Sequence, residues 1–148
     1  MARDFERLLY AYIHSYLEAM YEVYKPFPAV IHVKALEMLR EKFRSSMGFV
    51  GEASLDEFVG WLKERGYVKD LRVKMSGDEV VIAVEGCRFA PFIHPNISKE
   101  GLCIWAALTS TIISGGLRGA KLEFQEELSR LTNSGSLTRL RIQRLEDR

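Results

Sequence analysis

The chain has 148 residues, 47% hydrophobic and 28% charged, and its 21 Lys and Arg against 20 Asp and Glu leave a formal net charge of +1. That length suits one domain with a core large enough to need no staples, and that charge excludes a general polyanion binder. Two cysteines are too few for a disulfide framework. The opening Met1-Ala2-Arg3-Asp4-Phe5-Glu6 puts charge where a secretory signal needs an apolar run, so a cytoplasmic setting with free thiols is expected.

The first predicted helix covers 3–24. Phe5, Leu8, Leu9, Tyr12, Ile13, Tyr16, Met20 and Tyr24 recur at helical spacing and make its expected core face, with Arg7, His14, Glu18 and Glu22 largely opposite. Pro26 and Pro28 end it. A second helix is expected over 28–44, with Val30, Val33, Leu36, Leu39 and Phe43 inward. A third starts at Ser54, where Ser54 and Glu57 fit a capping box; Phe58, Trp61 and Leu62 face inward and Gly66 stops it.

Strand periodicity follows. Leu71, Val73 and Met75 alternate with Arg72 and Lys74, Ser76-Gly77-Asp78 turns the chain, and Val80 to Val84 is apolar on both faces, as in a central strand. A loop is expected over 86–96, with Pro91 and Pro95. A fourth helix runs from near Ser98 to Gly115-Gly116. The stretch from Gly101 to Leu117 carries no charge, yet it is short of the roughly 20 residues of a membrane span, so it reads as a core helix. Strands at 120–127 and around Thr138, Leu140 and Ile142 close the chain. The order ααα-ββ-α-ββ predicts an α+β fold, with N-terminal helices packed on a mainly antiparallel four-stranded sheet.

The chemistry-bearing residues cluster in the middle of this order. Cys87, His94 and Cys103 are ligands of zinc type, and three of them would leave a fourth position open. Against a metal stands the plain reading of free cysteines as small buried hydrophobes. The aromatic residues Tyr10, Tyr12, Tyr16, Tyr21, Tyr24, Phe89, Phe92 and Trp105 are enough to line an apolar cavity, although helical spacing equally describes core packing. Thr109-Ser110-Thr111 lacks an activating base nearby, and its hydroxyls are expected to bond back to the helix backbone. Residues 55–84 have the layout of a recognition helix and a wing. The helix opens Asp56-Glu57, however, which would repel phosphates, so nucleic acid is disfavoured.

From Val84 onward several motifs occur in order: a strand ending in Gly86-Cys87, Cys103-Ile104-Trp105-Ala106-Ala107 opening an apolar helix, a strand from Lys121 to Glu127, and Leu131-Thr132-x-x-Gly135-Ser136-x-Thr138 before the last strand. In these the chain resembles the 4-vinyl reductase domain, a relative of small subunits of vesicle-tethering complexes. The resemblance implies a small domain, often dimeric, with an internal cavity for hydrophobic molecules. Some such domains sense aromatic compounds and regulate transcription, others are linked to tetrapyrrole biosynthesis, and some bind zinc through cysteines near the pocket. Cys103 matches the cysteine that opens that family's helix. The family's late cysteine pair is missing here, with Leu131 and Arg139 standing about where it would be.

The expected function is therefore that of a stand-alone domain that binds or senses an apolar small molecule. Tyr12, Tyr16, Phe89, Phe92, His94 and Trp105 would line its cavity, and Cys87, His94 and Cys103 would hold any zinc. The alternatives are a metal-dependent enzyme using those three ligands, or a homodimeric interaction module. The last is suggested by Tyr10, Ala11 and Tyr21, which lie off the first helix's main stripe, because an exposed apolar patch often marks an interface.

Overall fold

The computed structural model describes residues 2–23, 51–96, 100–101, 103–116, 120–124 and 129–144, together with 38, 41, 42 and 45. The helix expected over 28–44 lies almost wholly outside the described residues. The elements run α1 (Ala2–Val23), α2 (Gly51–Glu64), β1 (Asp70–Ser76), β2 (Glu79–Glu85), α3 (Ala90–Ile93), a 3-10 turn (His94–Asn96), β3 (Glu100–Gly101), α4 (Ile104–Gly116), β4 (Ala120–Phe124), β5 (Ser129–Leu131) and β6 (Ser136–Arg144).

Each expected strand is present, and the four pair antiparallel in the order β1-β2-β6-β4. Val80 lies opposite Met75 and Leu140, and Ile82 opposite Val73 and Thr138, so apolar positions align across the sheet. Two short strands escaped the sequence: β5 pairs with the start of β6, and β3 with β5. Both β4 and β5 use the same edge of β6. Phe124 faces Leu140 while Arg130 faces Leu137, so six steps along one strand meet three along the other. The strand expected over 120–127 is described over Ala120–Phe124, and β5 lies beyond it.

One face of the sheet carries Leu71, Val80, Ile82, Val84, Leu140 and Ile142, all buried. The helix α4 packs against β2 and β4 on this face, and α2 packs on α4 and β1. The absence of charge in α4 is thereby accounted for: Ile104, Trp105, Ala106, Ala107, Ile112 and Ile113 are all buried. Thr109 and Ser110 stay in this core because their hydroxyls donate to the carbonyls of Trp105 and Ala107, as expected from their sequence context.

The helix α2 begins at Gly51 rather than Ser54, so Ser54 is a buried helical residue and not a cap. Its end follows the sequence signal. Gly66 has φ +70°, its N–H donates to Lys63 O, and Tyr67 N–H donates to Leu62 O, which together form a Schellman cap. The Tyr67 ring then lies tilted against Trp61, 5.6 Å away, the apolar contact that commonly seals such a cap.

The largest departure from expectation is in α1. Leu8, Leu9, Tyr12, Ile13 and Tyr16, the stripe expected to face the core, are exposed, whereas Tyr10 and His14 are buried. Tertiary partners decide this orientation. Glu6 pairs with Arg88 and accepts a hydrogen bond from the Tyr67 hydroxyl, Arg7 lies 4.1 Å from the centre of the Phe92 ring, and Tyr10 stacks on Phe89. The polar contacts and the aromatic pair all lie on one side, which fixes that side inward. No helix among the described residues is long and apolar enough to cross a membrane.

Candidate functional site

The site is built where β2 ends. Gly86 turns the chain with φ +63°, a conformation natural to glycine, and a Cβ there would lie 2.4 Å from the Lys69 side chain. The next residue, Cys87, is buried, and its N–H donates to Ser134 O at 2.7 Å. The expected loop then winds into α3, with Pro91 in its first turn, and into the 3-10 turn at His94–Asn96. Helical winding brings Phe89 inward and leaves Phe92 facing out beneath Arg7.

Across from this segment, Cys103 precedes α4 and accepts the Ala107 N–H at its carbonyl. Trp105 follows in the first turn, and its indole N–H donates to Cys87 Sγ at 3.3 Å. The Tyr10 hydroxyl is within hydrogen-bond reach of the same sulfur. Rings surround this point. Tyr10 stacks on Phe89 with centroids 4.4 Å apart, Trp105 lies 5.8 Å from Tyr10 and 5.5 Å from Tyr67, and His14 stacks beyond Tyr10 at 6.3 Å. Arg88 covers Tyr67 and Phe89 from outside, at 5.3 and 5.5 Å from their centres.

Burial governs the electrostatics. It pushes the Cys103 thiol up to about 11, although the Ser136 hydroxyl and the backbone of Ala106 and Trp105 work in the opposite direction. It also holds the Tyr10 hydroxyl far above the ordinary tyrosine value, with Cys103 and Cys87 adding to the effect. Tyr67 is raised as well, by desolvation first and then by its bond to Glu6. Burial thus keeps Cys103, Tyr10 and Tyr67 neutral at ordinary pH, while Glu6 and Arg88 pair at the rim of the site. Beneath Cys103 lies a buried hydroxyl pair, Ser129 and Thr138 at 2.6 Å, and Ser129 also accepts the Cys103 N–H.

Of the expected ligand-binding residues, Phe89 and Trp105 meet in this cluster. Tyr12 and Tyr16 do not, being on the outer side of α1, and Phe92 is half in water. His94 is buried, but its Nδ1 faces the Thr132 carbonyl, so that nitrogen carries the proton and donates. The imidazole thus ties the 3-10 turn to the β5–β6 connection. All three expected zinc ligands are buried, and both cysteines are free thiols. Among the described residues, however, no group of three or more His, Cys, Asp or Glu is arranged to hold a metal ion.

Sequence reasoning missed Tyr67, Glu6 and Arg88. Tyr67 carried a signal, since the residue after a helix-stopping glycine is the one a Schellman cap turns inward. The pairing of Glu6 with Arg88 spans 82 positions and left no local trace. No family model, curated protein or solved structure matches the chain.

Proposed function

We propose that this chain is a small-molecule-binding domain, taking a flat apolar ligand that carries one hydrogen-bond acceptor between α1 and the Cys87–Trp105 segment. The observation that carries this reading is that the Trp105 indole N–H is spent on the Cys87 sulfur, with the Tyr10 hydroxyl near the same atom. Sulfur is a weak acceptor. An oxygen acceptor from a ligand would satisfy the same donors better, and the rings of Tyr10, Phe89, Tyr67 and Trp105 would enclose its flat body. The resemblance to the 4-vinyl reductase domain supports the same ligand class. The arrangement favours binding over turnover: the donors are aromatic, burial holds the proton on Cys103, and no charged base among the described residues touches them. Two free buried thiols agree with the expected cytoplasmic setting.

The test is thermal unfolding and calorimetric titration with acetophenone and with ethylbenzene, which match in size and differ by one carbonyl. Acetophenone should stabilise the protein more than ethylbenzene does. Tyr10→Phe and Trp105→Phe should each narrow that preference by about fivefold, one neutral hydrogen bond of about 1 kcal/mol. Stabilisation by neither compound, or a preference that survives both substitutions, would sink the reading. Native mass spectrometry of the same preparation decides the metal alternative. One zinc per chain, lost in Cys103→Ser, would return a metal-assisted role to Cys87 and Cys103.

A further inference from the structure

At the rim of the site one carboxylate is held by two donors from outside its own helix. One Glu6 oxygen accepts from the Tyr67 hydroxyl at 3.1 Å, and the other pairs with the Arg88 guanidinium. These donors are fixed to each other independently of α1, because the Arg88 backbone N–H donates to the Tyr67 carbonyl at 2.9 Å. The guanidinium lies 5.3 Å from the centre of the Tyr67 ring and 5.5 Å from that of Phe89. Trp105 continues the aromatic surface inward, 5.5 Å from Tyr67 and 6.2 Å from Phe89. Glu6 precedes Tyr10 by one helical turn and Arg88 directly follows Cys87, so this rim borders the same joint as the inner donors. A cation, a hydroxyl and a surface of rings suit a carboxylate that carries an aromatic body. Glu6 supplies the carboxylate alone.

We infer that the ligand of this domain is an aromatic carboxylate, that Arg88 and Tyr67 select it, and that Glu6 is an internal carboxylate which leaves them when it binds. This rests on the ligand-site reading above and names the class of molecule that the site takes. The donor set matches the charge and shape of a carboxylate: a guanidinium presents a planar fork of N–H groups, and charge-assisted bonds are the strong ones. Tyr67 is placed to donate, since desolvation and its bond to Glu6 hold its proton more firmly than in an ordinary tyrosine. The exchange strands no charge. Arg88 and Glu6 keep 26 and 35% of their side chains in water, so Glu6 can pass to solvent while Arg88 stays paired with the incoming carboxylate. An ion pair at such a rim contributes little by itself, whereas a ligand adds the burial of its ring. A neutral ligand has nothing to offer Arg88 and leaves Glu6 in place.

Calorimetric titration of the full chain with 4-acetylbenzoate and 4-acetylbenzamide compares a carboxylate with a neutral amide of the same shape, both built on acetophenone. Wild type should bind the carboxylate about tenfold more tightly. Arg88→Met, which keeps an apolar cover over the rings, should abolish that preference, and Tyr67→Phe should reduce it several fold. Glu6→Gln removes the internal competitor and should raise the ratio of 4-acetylbenzoate affinity to acetophenone affinity several fold. A merely structural ion pair would not move that ratio, because a loosened α1 weakens both compounds alike. Equal wild-type affinity for carboxylate and amide, a preference that survives Arg88→Met, or a ratio that Glu6→Gln leaves unchanged or lowers overturns the proposal. The wild-type comparison needs no substitution, so it decides even if Arg88→Met fails to fold. Failure of the ligand-site reading looks different. If acetophenone and both derivatives fail to bind, the reading falls and takes this proposal with it. If acetophenone binds and the carboxylate gains nothing over the amide, this proposal alone falls.

Discussion

Cys103 shows what burial of one ionisable atom does to the molecule. Its thiol is neutral when protonated, and the fold holds the proton up to about 11 against an ordinary value of 9.0. Below pH 9 the folded and unfolded chains both keep the proton, and the fold loses nothing. Between pH 9 and 11 the unfolded chain ionises while the folded one does not, so stability falls with rising pH. Two pH units of this linkage amount to roughly 2–3 kcal/mol at the upper end. Tyr10, shifted in the same direction, adds to the fall above its ordinary value of 10.0. Urea titrations at stepped pH should show the loss, and Cys103→Ser should flatten the part between 9 and 10. A wild-type midpoint that stays constant through this window would contradict the burial of the thiol. The same protonation makes Cys103 a poor nucleophile in the folded state, because the thiolate is the reactive form.

Between elements, the tightest joint is where Gly135 crosses the end of β2. A Cβ at that position would lie 1.8 Å from the Val84 carbonyl oxygen, a backbone atom that cannot swing aside. Gly135→Ala should therefore cost about 3 kcal/mol or more, through displacement of β2 or of the β5–β6 connection. Gly60→Ala is the control, since its Cβ would meet nothing within 4 Å in the middle of α2, where alanine is the better helix former. Chemical denaturation should rank the two variants on opposite sides of wild type. Equal effects would mean that Val84 and Gly135 are not in contact. The damage should also reach the site, because Cys87 N–H is anchored to Ser134 next door.

The elements differ in how plainly the sequence announces them, for physical reasons. The four long strands were legible because the β1 alternation and the double-sided apolar run at Val80–Val84 are local signals that pairing only reinforces. Likewise α4 was legible because an uncharged stretch has few places to go other than the core. By contrast, β3 and β5 have two and three residues and depend on partners far along the chain, so no local pattern exists to find. The cysteines, Phe89 and Trp105 were found because they crowd one stretch of sequence. Tyr12 and Tyr16 misled because periodicity locates an apolar stripe without saying which surface receives it, and the side of α1 that carries Tyr10 and His14 is the one turned inward.

On the scale of the whole molecule, α1 is held differently from the sheet. β2 and β6 lie at the centre of the sheet with hydrogen-bonded neighbours on both sides, and their side chains Ile82, Leu140 and Thr138 are fully buried. The contacts of α1 include Glu6 on Arg88 and Tyr67, Arg7 on Phe92, and Tyr10 on Phe89, Trp105 and Cys87, and of its described side chains only Tyr10 and His14 are buried. Local opening follows such differences in buried contact, so α1 should open without the sheet, at a small fraction of the global free energy. Native-state amide exchange should show β2 and β6 exchanging last and together, and α1 exchanging well before them. Glu6→Gln, which removes the charge facing Arg88 at a rim partly open to water, should speed α1 exchange by a few fold and leave β2 and β6 unchanged. Uniform exchange across α1 and the sheet would mean that the helix is part of one cooperative core, and the aromatic site would then have no moving wall through which a ligand could enter.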